Sequence, residues 1–396
     1  MPCPCLQTPE YSTALRATLH AATWLLLGLI PLTPASARDT PVPGLSLDVT
    51  AATDLIAVVA GGLKRDTATP AVLGVTAGLS TREAGLWDGG EFALSYFGVT
   101  GTDPSEISGD IQDASNLAFI GSARVYEAWY EHTFDGGTRL LAGLRDVNSD
   151  FYTLDSADTF INGSFGIGQE IAQDNLPTWA ITAPGVRIYA PLDDGVYAQA
   201  AVYDGIPGDP TNPYGTHVRF DKGDGVLTIA ETGWVDTANS TTKIAAGAWH
   251  NTAEFIDFAA RTRDSDWGAY LVAETDVGAR LLGREGLAGF IQFGYSAEDR
   301  NPVGYYAGLG AALTGPWAVR PKDVLGLAVA HARTAAGVRD YIPGIQRGET
   351  VIELTYQMAP WPWLVVQPDV QYVFDPAANP TIDNALILGL RLGVNF

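Results

Sequence analysis

The sequence predicts an all-β fold: a transmembrane, antiparallel, up-and-down β-barrel of about 16 strands, with long extracellular loops partly folded into the lumen. Segments of about ten residues with alternating polarity recur along the chain, and short and long connections alternate between them. The last segment, ALILGLRLGVNF at 385-396, keeps one apolar face to its final residue. Because every backbone polar group in lipid must pair within the protein, such strands have to close into a ring.

The predicted strands are separated by clusters of Gly, Asp, Asn and Pro. They lie at 45-53, 72-81, 91-100, 124-133, 138-147, 184-191, 195-204, 226-234, 243-251, 268-277, 286-295, 303-313, 324-332, 350-358, 364-374 and 385-396. The connections at 134-137, 192-194, 278-285 and 359-363 are short, whereas those at 101-123, 148-183, 205-225 and 333-349 are long. Short turns are typical of the periplasmic side and long loops of the extracellular side, so both termini are expected to be periplasmic.

The final strand also predicts which side chains meet lipid. Leu390 falls on the apolar face and Arg391 on the opposite one. We expect Arg391→Leu to leave folding nearly intact, whereas Leu390→Arg places a cation in lipid. Phe396 is expected at the periplasmic interface, where it resembles the terminal aromatic residue that the outer-membrane assembly machinery recognises. Trp361 and Trp363 fit the same aromatic girdle as membrane anchors.

Residues 1-37 read as a cleaved secretory signal peptide, leaving 38-396 as a single barrel domain. Arg16 precedes an apolar run at 21-32, and Ala35-Ser36-Ala37 follows as the cleavage site. A transmembrane helix is the alternative, but the run has about 12 residues and a span needs about 20. Cys3 and Cys5 both lie in this segment, so cysteine chemistry is not expected in the mature chain.

The chain is acidic, with 23 Lys and Arg against 45 Asp and Glu and a net charge of -22. This argues against nucleic acid as a partner, because phosphate binding needs a basic face. After the signal no apolar run of about 18 residues occurs, so membrane-spanning helices are not expected either. A soluble periplasmic β-sandwich, whose strands also alternate, remains the alternative fold.

Four stretches carry a family resemblance. They are GGLKR at 61-65, SGDIQDASNLA at 108-118 leading into RVYEAWYEHTF at 124-134, FINGSFG at 160-166, and VIELTYQMAPWPWLVVQPDVQYVFDP at 351-376. Together they resemble the carbohydrate-selective outer-membrane porins of the OprB family. The resemblance implies a monomeric barrel in the Gram-negative cell outer membrane that passes sugars through a pore narrowed by inward-folded loops. Family members often carry an aromatic residue where DTATP follows Arg65, so the contacts of this loop stay open.

Polar residues on the non-lipid faces predict the pore wall. The predicted pore-lining and substrate-binding residues are Glu127, Trp129, Glu131, Arg145, Arg187, Glu353, Asp369, Gln371 and Arg391. A sugar offers hydroxyl groups and apolar C–H faces, so carboxylates, guanidinium or amide groups and an aromatic surface suit it. The alternative is that these acids and bases only stabilise neighbouring strands. Tyr197 and Tyr203 are further aromatic candidates, or packing residues.

The 148-183 connection is predicted to be the constriction loop. It contains Phe151, Tyr152, Phe160, Ile161, Phe165, Ile167 and Trp179, a set too apolar for a solvated loop. We expect it to fold into the barrel and to bring Phe160, Asn162, Ser164 and Phe165 to the constriction, with Asn162 and Ser164 beside Glu127, Trp129 and Arg145.

No catalytic, metal or cofactor site is predicted. The four histidines after the signal, His132, His217, His250 and His331, belong to no local motif. Asp150, Asp155 and Asp158 read either as a cation site or as a solvated acidic face. The expected function is facilitated diffusion of sugars, monosaccharides such as glucose, with lipid and the assembly machinery as the other partners. The alternatives are a general diffusion porin, an enzyme barrel and a soluble sugar-binding protein.

Overall fold

The computed structural model describes residues 42–119, 123–173, 176–209, 212, 214–217, 221, 223–236, 242–278 and 286–396. The strands in these ranges are β1 (Leu45–Gly62), β2 (Thr67–Ala68), β3 (Ala71–Ser80), β4 (Gly90–Thr100), β5 (Ala123–Thr133), β6 (Arg139–Arg145), β7 (Ala183–Pro191), β8 (Val196–Asp204), β9 (Val226–Val235), β10 (Lys243–Asn251), β11 (Phe255–Ile256), β12 (Thr262–Arg263), β13 (Asp266–Asp276), β14 (Leu287–Ser296), β15 (Val303–Thr314), β16 (Val324–Thr334), β17 (Gly348–Trp361), β18 (Leu364–Phe374) and β19 (Asp383–Asn395). The predicted signal peptide lies outside the described residues, so its removal stays a prediction.

The barrel is closed and antiparallel. Its 16 strands are β1, β3–β10 and β13–β19, and each of them pairs with its neighbour along the chain. The ring closes between the first and last strands, where Thr50 lies opposite Asn395 and Ala57 lies opposite Leu388. Neither end strand is therefore left with a free edge, which lipid would not tolerate. The predicted fold class is confirmed.

Side chains alternate between an apolar outer surface and a polar interior. On β19, Leu388 is 44% exposed, whereas Arg391 is 4% exposed. On β16, Leu327 is 56% exposed and its neighbour Ala328 is 3% exposed. Large apolar side chains outside and a guanidinium inside are the reverse of a soluble β-sandwich, and they are what a lipid-facing barrel requires.

The first strand is longer than predicted. The sequence places its end at 53, before the carboxylate of Asp54, but β1 continues to Gly62. Asp54 is fully buried and points into the barrel, where Arg391 on β19 pairs with it, so the acid does not end the strand. Gly61 and Gly62 then take the left-handed conformation, at φ +62° and +67°, and the chain turns back as β2 alongside β1.

The remaining helical structure in the described ranges is short. It includes α1 (Ser105–Ser108), α2 (Gly163–Gly166), α3 (Gln169–Ala172) and α4 (Ala336–Tyr341), together with 3-10 turns at Val147–Ser149, Ala157–Thr159, Asp193–Gly195 and Pro376–Ala378, all in connections between strands. Of the helices in these ranges, none has the length and apolar character needed to cross a membrane. A small hairpin of β11 and β12 lies between β10 and β13, and its two-residue strands are too short for alternation to predict.

Candidate pore constriction

The connection between β6 and β7, residues 146–182, folds into the barrel and is called the strap below. Phe151, Tyr152 and Phe165 are fully buried, and Phe160 is 1% exposed. The ring of Phe160 lies 4.9 Å from that of Phe165 and 5.7 Å from that of Phe290 on β14, measured between centroids. The strap therefore packs on the wall, as its apolar composition predicts.

Wall glutamates hold the strap through its backbone. Glu353 on β17 accepts hydrogen bonds from the N–H groups of Ile161, at 2.7 Å, and Asn162, at 2.9 Å. Glu274 on β13 accepts from the N–H group of Ser156 at 2.9 Å. The carboxylates thus satisfy N–H groups that have no β-ladder partner and would otherwise be buried unpaired.

Asn162 and Ser164 lie against β15 and β18. The side-chain amide of Asn162 donates to Gln371 Oε1 at 3.2 Å, and the Tyr306 hydroxyl donates to the carbonyl oxygen of Ser164 at 2.6 Å. The prediction that they lie beside Glu127, Trp129 and Arg145 is wrong. By residue 160 the strap has crossed the lumen, and the residues beside that part of the wall are instead the first ones after β6.

Glu127 is the centre of a polar cluster at the start of the strap. One carboxylate oxygen accepts from Arg145 Nη1 at 2.7 Å and from Trp129 Nε1 at 3.1 Å. The other accepts from the Ser149 hydroxyl at 2.9 Å and from the Asp146 N–H group at 3.1 Å. Both oxygens are therefore engaged, and Glu127 orients the guanidinium and the indole.

Asp146 connects the strap to β5. Its carboxylate accepts from the Asn148 N–H group at 2.6 Å and from the hydroxyl of Tyr126, and it is 4% exposed. Burial raises the pKa of Asp146 to about 7, because the charged form loses its hydration.

An open cleft of about 470 Å³ lies in the lumen between the strap and the wall from β4 to β10. Acids, bases, amides and aromatic rings line it. They are Glu91, Trp129, Glu131, Arg139, Leu141, Arg145, Ser149, Asp150, Thr153, Arg187, Tyr189, Tyr197, Gln199, Val235 and Lys243.

Five of the seven charged side chains that line the cleft form ion pairs with one another. Asp150 of the strap lies 2.9 Å from Arg145 Nε and 3.3 Å from Arg187 Nη1. Glu131 contacts Arg187 and lies 3.7 Å from Arg139 Nη1. Acids and bases thus alternate among these five residues, and the five do not form a ring of one sign that would select ions by charge.

Aromatic rings lie beside these charges. The Arg145 guanidinium is 5.0 Å from the ring centroid of Trp129, and that of Arg139 is 4.1 Å from the ring centroid of Tyr189. Tyr189 and Tyr197 stack at 5.5 Å. The cleft therefore offers flat apolar surfaces next to hydrogen-bonding groups.

The predicted wall residues divide into two groups. Trp129, Glu131, Arg145 and Arg187 line the cleft. The other five, Glu127, Glu353, Asp369, Gln371 and Arg391, also point inward, but they are at most 7% exposed and do not line it. The strap residues Phe160, Asn162, Ser164 and Phe165 are likewise buried, because they hold the strap on the wall. The strap thus covers these five wall residues, which the sequence predicts to face the open pore, and the constriction role of the four strap residues stays a prediction.

Other cleft residues were not predicted. Tyr189 follows Arg187 at a spacing of two on β7, so the same phase would have found it, and Gln199 follows Tyr197 on β8 in the same way. Asp150, considered in the sequence only as a cation ligand, pairs with two arginines instead. No group of three or more His, Cys, Asp or Glu side chains in the described ranges is arranged to hold a metal ion.

The predicted interfacial aromatics form one stack. Trp361 and Trp363 lie 5.8 Å apart at 14° between planes, and Trp363 and Phe396 lie 6.4 Å apart at 11°. All three are exposed on the short-turn side of the barrel. Phe396 also exchanges two backbone hydrogen bonds with Val49 on β1, both at 3.0 Å.

Comparison with known proteins also identifies porins as the relatives of this chain. The profile of the carbohydrate-selective porin family, OprB, matches residues 64–396. Porin B of Pseudomonas aeruginosa is 24% identical over 312 residues, which cover 69% of this chain and 68% of that protein. The high-pH structure of Pseudomonas putida OprB superposes with a TM-score of 0.80 at 20% identity, over 89% of this chain and 94% of that one. The outer-membrane channel DcaP of Acinetobacter baumannii gives a TM-score of 0.57 at 13% identity, over 89% and 97% of the two chains.

The match covers most of the barrel, from just after β1 to the last residue. The chain belongs to the carbohydrate-selective porin family, OprB, and is a channel of the outer membrane.

Proposed function

We propose that this porin admits small sugars, monosaccharides such as glucose, by facilitated diffusion through the cleft beneath the strap. A monosaccharide needs donors and acceptors around its edge and an apolar surface for its C–H groups. Trp129 and the Tyr189–Tyr197 pair supply the surfaces, and Arg145 and Arg187 supply donors whose charge is already balanced.

The paired charges carry the proposal. A general diffusion porin, the alternative, needs only an open lumen and no such arrangement. Here one carboxylate, Asp150, holds two guanidinium groups in fixed positions at the cleft, next to the indole of Trp129. Preorganised donors beside an aromatic face favour a hydroxylated ring over an ion, since the ionic groups next to the indole already have partners.

Single-channel conductance with a panel of sugars as blockers tests the proposal. We expect monosaccharides to block the wild-type pore and Trp129→Ala to weaken that block about tenfold, within the range for loss of an aromatic contact. Trp363→Ala, an aromatic change outside the lumen, is the matched control and should leave block unchanged. A wild-type pore that no sugar blocks at millimolar levels would support general diffusion instead.

We also propose that the barrel acts as a monomer and that Phe396 presents the assembly signal. The strap and the walls of the cleft come from one chain, so no second copy is needed to complete it. Phe396 lies exposed at the end of the closing strand, where its ring is accessible. The mass of the detergent-solubilised barrel tests whether it is a monomer. Crosslinking to the assembly machinery, with and without Phe396, tests the assembly signal.

A further inference from the structure

Glu170, on α3 of the strap, is buried without a partner. Its side chain is 1% exposed, and neither carboxylate oxygen has a hydrogen-bond partner. The nearby Tyr152 hydroxyl is also buried and unpartnered. The wall glutamates differ, since Glu353 and Glu274 each accept N–H groups of the strap. An ionised carboxylate in the position of Glu170 would lose its hydration, and its own backbone N–H group would return only a smaller part of that loss.

Two glycines make room for this carboxyl group. A Cβ atom at Gly294 on β14 would lie 1.6 Å from Glu170 Oε1. A Cβ atom at Gly168 on the strap would lie 2.3 Å from Glu170 Oε2 and 2.4 Å from the Tyr152 hydroxyl. The carboxyl group therefore sits directly against the wall and leaves no space for a counterion.

The groups that face Glu170 carry no positive charge. The strap contributes Tyr152, β14 contributes Gly294, and β15 contributes Tyr306, whose hydroxyl is already donated to Ser164. Among the described residues no lysine or arginine forms an ion pair with Glu170. Burial accordingly raises the pKa of Glu170 to about 8.

The same turn fixes the strap to the wall. The side-chain amide of Gln173 donates to the Val303 carbonyl oxygen at 2.6 Å and to Ser296 Oγ at 3.2 Å. The Val303 N–H group donates back to Gln173 Oε1 at 2.6 Å. A charge that displaces α3 would also break these three bonds between the strap and β14 and β15.

We propose that Glu170 is a positioning residue for the constriction: its neutral carboxyl group keeps α3 docked on β14 and β15, and its ionisation releases this part of the strap. The docked strap binds the proton more tightly than the released strap, where the carboxyl group regains water. Release therefore becomes more favourable as the pH rises from the ordinary pKa of a glutamate, about 4.3, toward the docked pKa of about 8. Above that pH both states are ionised and the dependence ends.

The difference in the pKa of Glu170 between the docked and released strap determines how strongly release depends on pH. The ratio of released to docked strap rises about tenfold per pH unit through most of this window, and about 50-fold between pH 6 and pH 8, because half of the docked carboxyl groups are ionised at the upper end. In Glu170→Gln, a neutral residue of the same shape, this rise is absent. The effect is independent of the sugar proposed above, since it is measured on the strap itself.

Hydrogen exchange of the amides at 169–173, corrected for the intrinsic rate, tests the proposal on the detergent-folded barrel. We expect the opening constant of the wild type to rise about 50-fold relative to Glu170→Gln between pH 6 and pH 8, and to level off above it. Asp146→Asn, which removes the other buried strap carboxyl group with a raised pKa, is the matched control and should keep the wild-type rise.

Parallel profiles for the wild type and Glu170→Gln would overturn the proposal, as would loss of the rise in Asp146→Asn alone. Because a variant could fold poorly, the heat-modifiable gel shift is measured first, and the wild-type profile provides a second check. A wild-type opening constant that stays flat from pH 5 to pH 8 contradicts the proposal without any variant. Sugar block that is lost while the exchange profile persists would overturn the transport proposal and leave this one standing.

Discussion

Arg391→Leu should destabilise the barrel severely, although Arg391 lies on a face that the sequence predicts to be tolerant. Its Nε and Nη2 atoms each lie 2.7 Å from an oxygen of Asp54, and Nη2 also donates to Asn116 Oδ1 at 2.6 Å. Asp54 is fully buried and would keep only the Ser115 hydroxyl, at 2.6 Å. Removing one partner of such a buried pair costs about 3–5 kcal/mol, because the other charge is left without compensation.

Urea unfolding in micelles, followed by tryptophan fluorescence, measures this loss as a shift in the free energy of unfolding. Asp54→Leu combined with Arg391→Leu is the informative comparison, since an apolar pair leaves no buried charge. We expect the double variant to recover at least about 2 kcal/mol relative to Arg391→Leu. A loss below about 1 kcal/mol for the single variant, or a double variant that is no more stable, would refute the reasoning.

Four further outcomes are expected. Leu390→Arg places a cation in lipid and should cost about 2–4 kcal/mol in the same unfolding assay. Deleting Phe396 removes two hydrogen bonds to Val49 at the closure, so it should lower the amount of heat-modifiable barrel in the outer membrane. Replacing 160–168 by a short glycine-serine linker should raise single-channel conductance and weaken sugar block, because this stretch anchors the strap to the far wall at Glu353 and Gln371. Arg187→Gln leaves Glu131 and Asp150 with one guanidinium each, so the reversal potential in a salt gradient should shift toward cation selectivity.

Contrary results would each locate an error. Equal stability of Leu390→Arg and the wild type would place that side chain away from lipid, and normal barrel levels without Phe396 would mean that closure does not need it. Unchanged conductance after the loop replacement would move the constriction to 101–122 or 205–225. An unchanged reversal potential in Arg187→Gln would show that permeating ions do not pass this cleft.

Alternating polarity was enough to place the strands, because each side chain that faces lipid must be apolar and its neighbours along the strand face the lumen. The strand predicted at 364-374 is β18, Leu364–Phe374, and the inward phase of Glu127, Arg145 and Arg187 follows from the same rule. The rule fails where an inward acid follows an apolar stretch, as at Asp54. Its partner, Arg391, is 337 residues away in the sequence, and only closure of the ring brings the two together.

The path of the strap across the lumen could not be predicted from alternating polarity. Its apolar content predicts that it folds inward, but a connection without a repeating pattern does not say which wall each residue meets. Asp150 follows β6 closely and therefore meets Arg145 and Arg187, whereas Asn162 lies across the lumen at Gln371. The position of Asn162 depends on hydrogen bonds from the backbone N–H groups of the strap to Glu353. Every residue except proline has such a group, so the amino-acid sequence does not show which ones Glu353 binds.

The strap also explains how a chain with a net charge of -22 can build a cleft with balanced charge. If the wall acids faced open water, their field would favour cations over neutral solutes. Glu353 and Glu274 instead accept backbone N–H groups of the strap, which solvate their charge within the wall. Two of the three acids that line the cleft, Glu131 and Asp150, each contact guanidinium groups. One folded segment therefore both narrows the lumen and removes the charge that would make the opening an ion pore, and it is this coupling that suits the constriction to an uncharged, hydroxylated solute.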